Sequence, residues 1–311
     1  ANIEIQILNY SEMKKLLCII AFSLCAIASG VSQPVSSGKS TILINNKPVS
    51  ETKAAPGTVE NVMPAAMAAT AASLPVGAGK YYALIIGIND YADPNINSLD
   101  FCIRDAEAFY NAVTSFYTFE KENVKFLKNA TMSDIVTSLD YFAKVVKPND
   151  SFLIFYAGHG VWNKASETGF WLPSDARKNS TLNWFRNSAL RDYLREVNSK
   201  HTLLITDACF AGSIFKTRAA FSDAELAVNK LYELPSRKAM TSGTLTEVPD
   251  QSAFLKYMIE RLNANKEKYL SSEQLFSSFR IAVINNSNVI PQYGEIKDVG
   301  DEGGDFIFIH K

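Results

Sequence analysis

Five short apolar runs punctuate the chain from residue 82 onward: Tyr82 to Ile88 (YALIIGI), Val124 to Leu127, Phe152 to Tyr156 (FLIFY), Thr202 to Thr206 (TLLIT) and Phe306 to Ile309. They are rich in β-branched and aromatic residues and show no polar alternation, so the first four read as strands buried on both faces of a parallel sheet. Between them the apolar spacing becomes helical. Ala106, Phe109, Val113 and Phe116 share one stripe, and Ile135, Leu139, Phe142 and Val146 share another behind the capping candidates Thr131 and Ser133. Past residue 250, Phe254, Leu255, Met258, Ile259 and Leu262 mark a further amphipathic helix, and Ser271 with Gln274 forms the capping-box start of the next. Strand alternating with helix predicts an α/β fold, a doubly wound and mostly parallel sheet with helices on both faces. Residues 213–236 carry no strand pattern and are expected to hold a loop and one short helix.

The first 79 residues follow other rules. Residues 13–30, MKKLLCIIAFSLCAIASG, have a basic start, an apolar run and a small-residue close that includes Ala26-Ile27-Ala28, the build of a secretory signal peptide. The run from Leu16 to Ile27 has twelve residues, too few to span a bilayer. The pattern therefore predicts export to a periplasm or the medium, with no stable membrane span once the signal is removed. Residues 1–12 read as an upstream leader before Met13. Cys25 is a poor lipidation site behind Phe22-Ser23-Leu24. Residues 31–79, rich in Ala, Ser, Thr, Pro and Gly, cannot build a packed core and are expected to form a linker or pro-segment.

Charge removes two classes of partner. Lys plus Arg (31) nearly balances Asp plus Glu (32), so no net field gathers the chain onto nucleic acid or an anionic membrane. Of the four cysteines, Cys18 and Cys25 lie in the segment expected to be removed, leaving Cys102 and Cys209. A disulfide between these two would consume a candidate nucleophile, so both are read as free thiols. With no Cys-x-x-Cys or His-x-x-x-His pair, no metal site is assigned.

The FLIFY run leads straight into Ala157-Gly158-His159-Gly160, and the TLLIT run into Asp207-Ala208-Cys209-Phe210-Ala211-Gly212. In open α/β sheets ligands bind outside the carboxyl ends of the strands, so neighbouring strands would present His159 and Cys209 at one edge. A neighbouring imidazole can take the thiol's proton and later protonate a leaving amine, which makes the pair an acyl-transfer dyad. The backbone N–H groups of Gly160 and Cys209 are candidate oxyanion donors. Taken singly, a Cys after an apolar strand is ordinarily a small buried hydrophobe, and a Gly-flanked His ordinarily caps a turn. Their joint placement fifty residues apart, in a chain with three histidines, carries the reading.

These two motifs resemble those of the caspase/metacaspase cysteine peptidases, in which a His precedes the nucleophile by about 50 residues. Further likenesses are Ala83 to Asn89, Leu99 to Ala106, Ala239 to Gly243, Pro291 to Gly294 and Gly303 to Phe306, so the resemblance covers residues 80–311. It implies a six-stranded sheet divided into a large part to about residue 212, a loop over 213–236 and a small part over 237–311. It also implies a dyad endopeptidase acting on protein or peptide substrates without an organic cofactor. Phe210 departs from the polar residue common after the nucleophile, and no calcium site is legible, which leaves calcium dependence open.

In the aspartate-cutting caspases Arg and Gln line the specificity pocket. Here Asp207 stands at the Gln position and Asp105 matches an acidic pocket residue of metacaspases. Two carboxylates would pair with Arg or Lys and repel Asp, which implies cleavage after a basic residue. Asp105 alone also reads as a helix N-cap before Ala106. Cys102 reads as core. Lys216, Arg218, Arg237 and Lys238 lie in or beside the patternless segment and are candidate self-cleavage points. Two other readings compete: a catalytically silent caspase-fold module that binds peptides or partners, and a flavodoxin-like or nucleotide-binding domain. The second lacks a Gly-rich phosphate loop, since Gly87-Ile88-Asn89-Asp90 has one glycine.

Overall fold

The computed structural model describes residues 79–208, 214–216, 231–243 and 250–311. The expected leader, signal peptide and linker, Cys209 and Arg218 lie outside the described residues. Six strands form the central sheet in the order β2 (Val124–Lys128), β1 (Tyr81–Gly87), β3 (Ser151–Ala157), β7 (His201–Asp207), β9 (Ser236–Thr241) and β11 (Gln292–Ile296). All run parallel except β11, which pairs antiparallel with β9. A two-residue strand, β8 (Phe215–Lys216), extends the edge against β11, inside a segment expected to hold no strand.

Apolar residues without polar alternation are what a sheet covered on both faces requires. Tyr81, Ala83 and Ile85 of β1, with Leu153, Phe155 and Ala157 of β3 and Leu203 and Ile205 of β7, enter one core cluster. Their alternates Tyr82, Leu84, Ile86, Phe152, Ile154, Tyr156 and Leu204 enter the other. Successive side chains of a strand point to opposite faces, so each run feeds two cores at once. The first core is closed by α1 (Cys102–Phe116), α4 (Ala253–Ala264) and α5 (Ser272–Asn286), and the second by α2 (Met132–Val145) and α3 (Asn187–Glu196). The edge strand β2 is only half-buried.

Local capping follows the expected chemistry in part. The Thr131 hydroxyl accepts from Asp134 N at 3.2 Å while Asp134 returns a bond to Thr131 N, and Ser271 with Gln274 repeats the motif ahead of α5. Asp105 is not an N-cap. Helix α1 starts after Phe101, and Asp105 lies within its first turn. Instead, Asp250 accepts from Asp100 N (2.7 Å) and Phe101 N (3.2 Å), and Asn89 Oδ1 accepts from Ile103 N at 2.8 Å. Carboxylate and amide groups brought from distant segments satisfy the donors that α1 leaves open.

Two small sheets were not legible as strand patterns. Strands β4 (Gly160–Asn163), β5 (Thr168–Trp171) and β6 (Phe185–Arg186) form an antiparallel sheet directly after His159. The final apolar run becomes β12 (Ile307–Ile309), which pairs with β10 (Tyr269–Ser271) apart from the central sheet. No helix among the described residues is long and apolar enough to cross a membrane.

Arg237 and Lys238 correct an expectation. Both lie inside β9, hydrogen-bonded between β7 and β11, and are buried. The Arg237 guanidinium donates to the carbonyls of Ser199, Lys200 and Ser236 at 2.8 to 3.1 Å, and Lys238 Nζ sits 3.1 Å from Asp301 Oδ1. Strand register, invisible in the basic dipeptide itself, removes both from the candidate self-cleavage points.

Candidate active site

Parallel pairing sets the ends of β3 and β7 level. Ala157 stands opposite Asp207, and Gly158 N donates to Asp207 O at 3.4 Å. Each partner lies two residues before a residue of the expected dyad, His159 or Cys209. His159 therefore leaves the carboxyl end of the sheet beside the strand that runs on to Cys209.

The backbone of His159 is held on three sides. Its N–H donates to Tyr91 Oη (2.8 Å), and its carbonyl accepts from Tyr156 Oη (2.7 Å) and Leu172 N (3.0 Å). Tyr156 is fixed in turn, stacked on Trp171 with ring centroids 4.3 Å apart. Gly158 is required at this turn, because a Cβ there would sit 2.8 Å from Tyr156 Oη and 3.3 Å from Tyr91 Oη. Neither ring can retreat without breaking its bond to His159. Gly158→Ala is accordingly expected to destabilise the fold by about 1–3 kcal/mol and to lower activity beyond the loss of folded protein. Urea denaturation alongside turnover per folded molecule checks this.

The ring of His159 is half-buried, lies 5.1 Å from the Tyr91 ring, and places Nε2 at 2.8 Å from the backbone carbonyl of Asn97. A carbonyl only accepts, so Nε2 carries the proton of the neutral ring and Nδ1 keeps its lone pair. Nδ1 has no hydrogen-bond partner among the described residues. Beyond the ring, the Leu172 N to His159 O bond spans the Gly160–Trp171 pair. In this antiparallel pattern the pair's own N–H groups turn away from the ladder. Because β4 is the sheet's edge, the Gly160 N–H is left unspent by β5.

Asp207 is buried, with one carboxylate oxygen unpartnered among the described residues. Burial pushes its carboxyl up to about 6, with Asp105 and Asp250 adding to the rise against the hydroxyls of Ser242 and Ser252. Burial likewise raises the Asp105 carboxyl, opposed by the Arg104 guanidinium 2.9 Å away. Cys102 is a free, buried thiol, pushed well above its ordinary value by burial and then by Asp207, Asp250 and Asp105. Asp105 and Asp250 both act electrostatically on Asp207, and Asp250 carried no motif to announce it. Asp105 lines a cavity of about 450 Å³ that Arg104, Ser252 and Lys256 also line, and Asp207 is not among the lining residues. Tyr91 and Asn97 were likewise missed; each acts through a geometry that residue type alone does not signal.

Comparison with known proteins assigns the family. The family model described as "Caspase domain" matches residues 80–296. Metacaspase-1 of Saccharomyces cerevisiae is 31% identical over 90 residues, 26% of this chain and 20% of that protein. Metacaspase-1 of Candida glabrata is 30% identical over 94 residues, 28% of this chain and 24% of that protein. The matches span less than a quarter of the curated relatives' length. A crystal structure of a Geobacter sulfurreducens protein aligns with 73% of this chain and 99% of its own, at 18% identity and a TM-score of 0.49. With its family model covering the sheet from β1 to β11 and the His159 turn, this chain belongs to the caspase-domain family.

Proposed function

We propose that this protein is an exported endopeptidase that cuts after Arg or Lys with Cys209 as nucleophile and His159 as its base and acid. The observation that carries the reading is the level pairing of Ala157 with Asp207, together with the tautomer fixed by Asn97. A histidine with Nε2 bound to a carbonyl has one basic nitrogen to offer. Nδ1 takes the Cys209 proton as sulfur bonds to the scissile carbonyl carbon. The Gly160 and Cys209 N–H groups stabilise the oxyanion. The C–N bond then breaks, the leaving nitrogen receives the proton from the imidazolium, and water hydrolyses the thioester with the same residue as base.

Asp105 and Asp207 supply the negative charge that a guanidinium or ammonium group requires. Arg104, exposed itself, already sits on the half-buried Asp105, and a substrate arginine would have to take its place. The organic chemistry needs no cofactor, and whether calcium modulates it is a matter for titration. A positional-scanning peptide library on the chain from Val31 tests the reading: strong selection of Arg and Lys before the cut supports it, and selection of Asp refutes it.

Self-processing is confined by the fold. Lys216 is paired in β8 as Arg237 and Lys238 are in β9, so the purified protein is expected to yield associated fragments cut after Arg218, never after Lys216, Arg237 or Lys238, while Cys209→Ala stays whole. Amino-terminal sequencing of the fragments decides; an intact wild-type chain after full turnover would make this a single-chain enzyme.

A further inference from the structure

A second pocket, of about 210 Å³, has His159, Gly160, Ile96, Val161, Leu172 and Trp184 in its walls. It shares no lining residue with the cavity beside Asp105. No carboxylate lines it, and one cation, Lys178, does, so a basic side chain finds no partner there. Its walls are preformed. Trp184 is pinned through Nε1 to Arg177 O (2.8 Å) and edge-on against Phe170 (5.4 Å). The loop carrying Ile96 is tied to the opposite wall by the buried Asp93, which accepts from Asn95 N (3.0 Å) and Lys178 N (2.8 Å).

We propose that this pocket receives the first substrate residue on the leaving side of the cut and selects an apolar side chain there. The proposal rests on the reading of His159 as the group that protonates the leaving amine. A general acid must lie within hydrogen-bond reach of the atom it protonates. The residue attached to that nitrogen is therefore the one brought against the imidazole, and the pocket that includes the imidazole in its wall is the space it enters. The carboxylates of Asp105 and Asp207 lie elsewhere and serve the acyl side. One site thus reads two positions by opposite chemistry, charge before the cut and apolar fit after it. A preformed apolar pocket discriminates without the cost of ordering its walls.

The test uses internally quenched peptides with Arg before the cut and Leu, Phe, Ser, Lys or Glu after it, on the full chain. Active-site titration with a peptidyl-arginine chloromethyl ketone, which has no leaving-side residue, counts competent molecules in each preparation. Wild type is expected to favour Leu or Phe over Glu and Lys by about tenfold or more in kcat/KM, a range that apolar pockets reach. Trp184→Ala should reduce that ratio to threefold or less. Should that variant fail to fold, Ile96→Ser, a change in a surface loop, should reduce the ratio in the same direction. Cleavage with no leaving-side preference, or a preference that neither variant moves, overturns the pocket assignment and leaves the peptidase reading intact. No cleavage of any peptide overturns the peptidase reading itself, and the pocket's role with it.

Discussion

Replacing Cys209 or His159 with alanine is expected to lower kcat/KM on an arginine peptide by at least about 10³-fold, with little change in thermal unfolding. Among the described residues the His159 side chain makes one hydrogen bond, to Asn97 O, from a half-buried position. Losing it costs about 1 kcal/mol, whereas its backbone, which carries the other bonds, is untouched by the substitution. Cys102→Ala sets the contrast. Burial, and then the charges of Asp207, Asp250 and Asp105, push that thiol up, so its thiolate is disfavoured as an attacking group. The Cys102 variant should keep most of its turnover and lose only some stability. Loss of turnover in Cys102→Ala with its retention in Cys209→Ala would contradict the assignment.

Asp207 and Asp105 carry the second large effect. Asp207→Ala and Asp105→Ala are each expected to weaken cleavage after Arg by about 2–5 kcal/mol of transition-state binding, the cost of leaving a charge without its buried partner. Alkylation by a small neutral reagent should scarcely change. The Asp207 carboxyl titrates at about 6 in the folded chain against an ordinary 3.8. Between those values the folded chain holds a proton that the unfolded chain has released, so stability falls as pH rises through that window. The deficit persists at neutral pH, on the order of 2–3 kcal/mol. Asp207→Asn should therefore resist urea better than wild type at pH 7 and equally at pH 3.5, while losing arginine cleavage. In the wild type, kcat/KM for arginine peptides should rise as pH passes about 6 and the carboxylate forms. A variant that is no more stable at neutral pH and still cuts after Arg would remove Asp207 from the pocket.

How much of this was legible beforehand follows from where the physics resides. The runs at Tyr82, Phe152 and Thr202 announced themselves because a strand covered on both faces must be apolar throughout. The turn at Gly158-His159-Gly160 was visible as an abrupt end to such a run. Strands β4 to β6 were not, since they are two to four residues long, too short for a period to be detected. Arg237 and Lys238 looked like surface charge because nothing in a basic dipeptide reveals the carbonyls of Ser199 and Lys200 or the carboxylate of Asp301 waiting for it. Asp105 was readable as a cap or a pocket acid, and the start of α1 after Phe101 removes the cap. Asp250 and Tyr91 act across 150 and 68 residues of chain, on Asp100 and His159 respectively, and no local pattern encodes such a contact.

The central claim is that one thiol, Cys209, is activated by His159. Stoichiometric labelling of the full chain with a peptidyl-arginine chloromethyl ketone, followed by peptide mapping, tests it most directly. A single label on Cys209 that His159→Ala slows by orders of magnitude is the predicted result. A label on Cys102, or labelling of Cys209 that proceeds at the wild-type rate without His159, would contradict it.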